Sequence, residues 1–149
     1  MEPKKPIKRN PAIVTFSKDH HFALLLVWKI RQGLKKEIEP SRIINYVAHF
    51  FDTDLIFHFE EEETLLFSKL PSDNLLRLQS EEEHKLIKFE IDALRKNSDD
   101  KMGIENFANI LEKHIRFEER ELFNYLQEIF SEDELSEIAE AMEARTREH

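Results

Sequence analysis

Apolar residues recur at intervals of three and four along almost the whole chain, the period of helices that bury one face. Phe16, Ala23, Val27, Ile30 and Leu34 mark the stripe of a first helix over about 17–36. Pro40 and Ser41 open a second, which runs to about 67 with Ile44, Val47, Phe51, Leu55, Leu65 and Leu66 on one side. Pro71 breaks the stretch 68–74. A third helix over about 73–96 turns Leu76, Ile87, Ile91 and Leu94 inward, and a polar turn at 97–103 precedes a fourth over about 104–130. Ser131 and Glu134 form a capping box ahead of a fifth, shorter helix with Leu135, Ile138, Ala139 and Met142 on one face. No segment alternates as a half-buried strand does. The pattern predicts an all-α fold, an up-down-up-down four-helix bundle over residues 16–130, because four amphipathic helices joined by short loops bury their stripes most simply that way. The fifth helix, within 131–149, is expected to pack on the bundle or to serve an oligomer contact.

Composition narrows the function. The chain has 149 residues, enough for one domain with a core that needs no covalent staples. It carries 22 Lys+Arg against 31 Asp+Glu, a formal charge of −9, which argues against nucleic acid as a partner. Lys4, Lys5, Lys8 and Arg9 are the basic exception. They belong to a flexible N-terminal tail, residues 1–15, that Pro3, Pro6 and Pro11 are expected to keep extended and out of the fold. The absence of cysteine removes thiol catalysis, iron–sulfur clusters and thiolate zinc sites. With Gly33 and Gly103 as the two glycines, no Gly-rich phosphate loop exists. The longest apolar run, 22–28, is far short of the roughly 20 residues a membrane span needs, and no apolar signal segment opens the chain. A soluble, cytoplasmic protein with no membrane partner is expected.

The histidines carry the chemistry. His58 precedes Glu62 by four residues and His114 precedes Glu118 by four, a spacing that puts each pair on one helix face. These pairs sit in a repeat. Residues 58–67 read HFEEEETLLF and 114–123 read HIRFEERELF, sharing HxxxEExxLF on the second and fourth helices. The first and third helices each carry an acid–His pair, Asp19-His20 and Glu83-His84. His20 shares the stripe of Phe16, Ala23 and Val27, whereas His21 lies one step round on a stripe with Leu24, Trp28 and Arg31, so the pattern favours His20 over His21 as the inward residue. His84 shares the stripe of Ile87, Ile91 and Leu94. Six titratable groups, His20, His58, Glu62, His84, His114 and Glu118, thus face inward from four helices. Unpartnered, each buried polar group would cost about 1–3 kcal/mol and each charge more. Bound cations satisfy them together. The mixed nitrogen and oxygen set suits iron first, with manganese or zinc as alternatives, and two carboxylates from opposite helices can bridge a pair of ions.

The order His, HxxxE, His, HxxxE with its EExxLF continuation, together with KDHHFALLLVWKIRQGL on the first helix, resembles the hemerythrin-like proteins, the HHE cation-binding domain. The resemblance implies a diiron centre with His20, His58, His84 and His114 as terminal ligands and Glu62 and Glu118 as bridges. It implies binding, sensing or reaction with O2, peroxide or nitric oxide. The chain departs from the oxygen carriers of that family, which have HxxxH on the third helix and HxxxxD on the fourth. Here Lys88 follows His84 by four residues and the fourth helix carries HxxxE. The resemblance is therefore to the subclass with six protein ligands. Ferritin-like proteins use Glu-x-x-His from two helices, and only Glu81–His84 matches that pattern.

Other candidates rank lower. His49 is expected at the surface or behind a ligand, His149 lies at the terminus, and Glu61 is a carboxylate able to orient a ligand histidine by an outer hydrogen bond. Tyr46 and Tyr125 are read as core-edge residues able to donate to a bound ligand. Three functions compete: a diiron protein acting on a small diatomic or peroxide ligand, a non-catalytic iron-responsive module read by a protein partner or a second copy, and a metal-free structural bundle.

Overall fold

The computed structural model describes residues 8–148. It is all-α, with no strand among the described residues. Helix α1 spans Pro11–Lys35. Helix α2 is a single rod over 40–69, built from Pro40–Phe50, a π segment Phe51–Leu55, Ile56–Glu61, a second π segment Glu62–Leu66 and a 3₁₀ turn Phe67–Lys69. Helix α3 is Leu75–Lys96. Helix α4 runs over 101–129 as Lys101–Phe117, a π segment Glu118–Leu122 and Phe123–Ile129, and α5 is Glu132–Glu148. Short connections make consecutive helices antiparallel, and α1 lies against both α2 and α4 to close the bundle.

The punctuation is chemical. Asn74 caps α3, its side chain accepting from Arg77 N at 3.1 Å, and Asp100 caps α4 by accepting from Gly103 N at 2.8 Å. At α5 the expected box is formed, with Ser131 N donating to Glu134 and Glu134 N to Ser131 Oγ. Helix α1 ends in paired bonds, Ile38 N to the Gly33 carbonyl and Glu37 N to that of Leu34. This arrangement forces Glu37 to a φ of 58°, the left-handed region that glycine normally fills.

One boundary differs from expectation. Helix α1 starts at Pro11, so residues 11–15 of the expected tail are helical, while residues 1–7 lie outside the described residues. Asn10 is the cap, its side chain accepting from Ala12 N at 2.9 Å, and Pro11 sits at the first helical position, where a missing N–H costs nothing. Ala12 and Ile13 are buried. They pack into an apolar cluster with Leu66, Phe67, Phe123, Leu135, Ile138 and Met142, so α5 lies across this end of the bundle. A second cluster, with Val27, Ile30, Val47, Ile91, Phe107 and Leu111, fills the other end. Between the two lies a polar layer.

Candidate metal centre

The polar layer consists of His20 from α1, His58 and Glu62 from α2, His84 from α3, and His114 and Glu118 from α4. All six are buried, and both carboxylates are fully inaccessible. The inward stripe includes His20, while its neighbour His21 is exposed. All four Nε2 atoms point at the two carboxylates. His20 Nε2 lies 2.9 Å from Glu118 Oε1 and 3.7 Å from Glu62 Oε2. His58 Nε2 is 3.3 Å from Glu62 Oε1, and His114 Nε2 is 3.4 Å from Glu118 Oε1. His84 Nε2 reaches both, at 3.1 Å from Glu62 Oε1 and 3.5 Å from Glu118 Oε2.

Most of these close approaches are not hydrogen bonds. Nε2 of His58, His84 and His114 and both oxygens of Glu62 are buried without a hydrogen-bond partner. Such groups are rare in a folded interior and ask for a ligand. The donor atoms sort into two groups, His20–His58–Glu62–Glu118 and Glu62–His84–His114–Glu118, each with its atoms within 4.8 Å of one another. Both groups contain both carboxylates. Nitrogen and oxygen donors in this number fit a pair of borderline cations, and the six side chains therefore suit a metal.

Each imidazole also faces a carboxylate on its far side. Asp19 Oδ2 is 3.0 Å from His58 Nδ1 and Glu83 Oε1 is 2.7 Å from His114 Nδ1. Glu119 stands 3.5 Å from His20 Nδ1 and Glu63 stands 3.7 Å from His84 Nδ1. The acid preceding the histidine on α1 or α3 thus holds the histidine of the next helix. The second Glu of each EE pair faces a histidine on α3 or α1. The closing Phe of each repeat covers an imidazole in the same crossed fashion, Phe123 stacking on His20 at 5.0 Å between centroids and Phe67 on His84 at 5.9 Å. Leu66 and Leu122 are fully buried. Every fixed letter of HxxxEExxLF therefore meets the centre or the core beside it.

The two halves are not identical. Arg9, just ahead of α1, donates to Glu119 Oε2 at 3.0 Å and to the Glu119 carbonyl, and its guanidinium lies over Phe123 at 5.8 Å. It reaches Asn124 Oδ1 as well, at 2.7 Å. Thus the expected tail contributes a residue that touches both supports of His20. Ser80, fully buried on α3, donates to Glu118 Oε2 at 2.5 Å.

Burial alone would depress the imidazoles, but the carboxylates outweigh it. His20 is held well above 6.5 by Glu118, Glu119 and Glu62, and His84 likewise by Glu118, Glu62 and Glu63. Glu62 and Asp19 raise His58 to about 9, and Glu118 and Glu83 raise His114. In turn, burial and Glu118 push Glu62 up, yet His58 and His20 bring it down to about 2. Glu118, against the same burial, is held well below 4.5 by His114, His20 and His84. The surrounding carboxylates thus favour the protonated imidazoles, and a metal would compete with those protons for the same nitrogens.

The lower-ranked residues fall elsewhere. His49 and Tyr46 are exposed, the tyrosine hydroxyl accepting from Lys29 at 3.1 Å. Tyr125 accepts from Asn74. Glu61 lies 4.0 Å from Arg145, and the carboxylates facing the imidazoles are Asp19, Glu63, Glu83 and Glu119. Lys88 is exposed and lines a small cleft of about 190 Å³ that reaches His84. His149 lies outside the described residues.

Converging buried His and Glu donors at the middle of a four-helix bundle define a metal-binding helical protein. The family described as Hemerythrin HHE cation binding domain matches residues 12–126, and the chain belongs to it. No curated protein and no solved structure matches the chain. Among the described residues, no helix is long and apolar enough to cross a membrane.

Proposed function

We propose that this hemerythrin-like protein holds two iron ions on His20, His58, Glu62, His84, His114 and Glu118, and that the loaded centre binds or reacts with O2, peroxide or nitric oxide. The observation that carries this reading is the pair of four-residue donor groups that share both carboxylates. Four imidazole nitrogens and two carboxylates do not saturate two six-coordinate ions, so room is left for a small ligand. Manganese or zinc would fit the same donors less selectively. When bound, iron supplies the redox capacity that no side chain of this cysteine-free layer has.

The chain's own part is orientation and exclusion. Asp19 and Glu83 accept from Nδ1 of His58 and His114, which points each Nε2 at the centre. Phe67 and Phe123 cover the faces of His84 and His20. A cleft of about 690 Å³ lined by Asp19, Phe22, Phe57, His58 and Glu61 offers a small molecule a way in.

The test is the near-ultraviolet spectrum of the iron-loaded protein before and after peroxide or nitric oxide. A band that changes while helicity stays fixed is the expected result. The unpartnered atoms of Glu62 favour a second reading, in which the chain is an iron-responsive module read by a protein partner, because the cation-free layer leaves them unsatisfied. An unresponsive band, with helicity or stability falling sharply on iron removal, would select that reading and reject the first.

A further inference from the structure

The internal repeat exposes an asymmetry between the two carboxylates. His84 follows His20 by 64 positions, and the same offset places Ser80 opposite Phe16. Phe16 is fully buried and meets His58 edge-on at 6.1 Å. It has no proton to offer a carboxylate. Ser80 does, and directs it across the bundle to Glu118 Oε2 at 2.5 Å. That choice is not the default for a hydroxyl in a helix, which ordinarily bonds the carbonyl four residues back. Thr53, Thr64 and Ser68 on α2 all do so. As a result Glu118 has a hydrogen-bond partner at each oxygen, His20 at Oε1 and Ser80 at Oε2, whereas the oxygens of Glu62 meet only imidazole nitrogens, at 3.1–3.7 Å, without hydrogen-bond geometry.

We propose that Ser80 is a positioning residue that fixes the carboxylate plane of Glu118 for metal binding, leaving Glu62 as the carboxylate that adjusts. With Oε2 tied to Ser80, Oε1 stays between His20 and His114, at 2.9 and 3.4 Å from their Nε2 atoms. Oε2 keeps His84 Nε2 at 3.5 Å. The serine hydroxyl gives its hydrogen bond to Glu118, so its role is to act on a ligand. The inference rests on the metal-binding reading above.

The experiment is anaerobic calorimetric titration of the full-length protein with Co(II), a spectroscopic stand-in for Fe(II), with its visible d–d bands recorded alongside. Ser80→Ala is expected to weaken binding roughly 10–100-fold, the usual effect of removing an outer hydrogen bond to a ligand, and to shift the bands. Ser80→Thr, which keeps the hydroxyl, is expected to restore both. Alanine fills nearly the same space and favours helix, so a purely structural role for Ser80 would leave affinity and bands unchanged. That outcome, or a threonine variant as weak as the alanine one, overturns the proposal. Wild-type protein that binds neither Co(II) nor Fe(II) overturns the metal reading as well, and so separates the two failures. Should Ser80→Ala not fold, the infrared carboxylate band absent from Glu118→Gln carries the test. A band that shifts when Ser80→Cys replaces the hydroxyl by a weaker donor of similar size supports the proposal, and an unmoved band overturns it.

Discussion

Each imidazole of the buried layer stands between Glu62 or Glu118 at Nε2 and an outer carboxylate near Nδ1, and the outer ones are open to substitution without touching a donor atom. Glu83→Gln removes the charge that holds His114 Nδ1 at 2.7 Å. It is expected to lower metal affinity by roughly 10–100-fold with helicity intact, read by anaerobic titration with Fe(II). The metal-free protein should also show a defined pH window. His58 has a folded pKa of about 9, above its ordinary 6.5, so its contribution to stability is complete below 6.5 and is lost as pH rises through 9. Glu62 is depressed from 4.5 to about 2, so its contribution is complete above 4.5 and is lost as pH falls through 2. Urea denaturation of metal-free protein should therefore show maximal stability between about 4.5 and 6.5, and a midpoint rising from pH 6.5 to 9 would contradict this. Much of the layer was legible in the sequence, because i,i+4 spacing and an apolar stripe place a side chain on a face. What was not legible is which acid serves which imidazole. Glu61 is the acid that the sequence suggests, and the structure adds Glu63, which stands 3.7 Å from His84 Nδ1. Ser80 gives no signal at all, since an isolated serine in a helix has no period.

At the level of the elements, the helix ends carry the testable energetics. Glu37 occupies the position after α1 where a left-handed residue closes two hydrogen bonds, at φ 58°. Glu37→Gly should relieve that conformation and stabilise the fold by about 1 kcal/mol, measured as a shift in denaturation midpoint at unchanged slope. Asn10→Ala should cost about 1 kcal/mol by removing the cap on Ala12 N. Helix number, order and most boundaries followed from periodicity, Pro40 and the Ser131–Glu134 box. The start of α1 did not, because Pro11 reads equally as a break and as a first helical residue. The apolar partners that settle it, Leu135 and Ile138, lie more than a hundred positions away. The π segments Glu62–Leu66 and Glu118–Leu122 were likewise hidden, since the same stripe fits an ordinary helix within its tolerance. Each begins at a candidate ligand, as such turns often do at functional sites.

For the whole molecule, one end is closed by α5 and the middle by the proposed cations. Truncation after Phe130 removes three buried side chains, Leu135, Ile138 and Met142. At about 1.5–3 kcal/mol each, the loss should be at least roughly 4 kcal/mol, a fall in melting temperature on the order of 8–16 °C by differential scanning. Because the same cluster contains Phe67 and Phe123, which stack on His84 and His20, metal affinity should fall with it. The fold class was legible because four stripes leave few ways to be buried. The site of α5 was not, because one apolar face suits the bundle end and a second copy equally. The most direct test of the account is the iron content of the full-length protein after anaerobic loading and gel filtration, measured by elemental analysis beside Glu62→Gln. The account predicts about two irons per chain for the wild type, a clear loss in the variant, and a wild-type melting temperature that rises with free iron as mass action requires. A folded wild-type protein that emerges with no iron, and melts at the same temperature with or without it, would contradict the account.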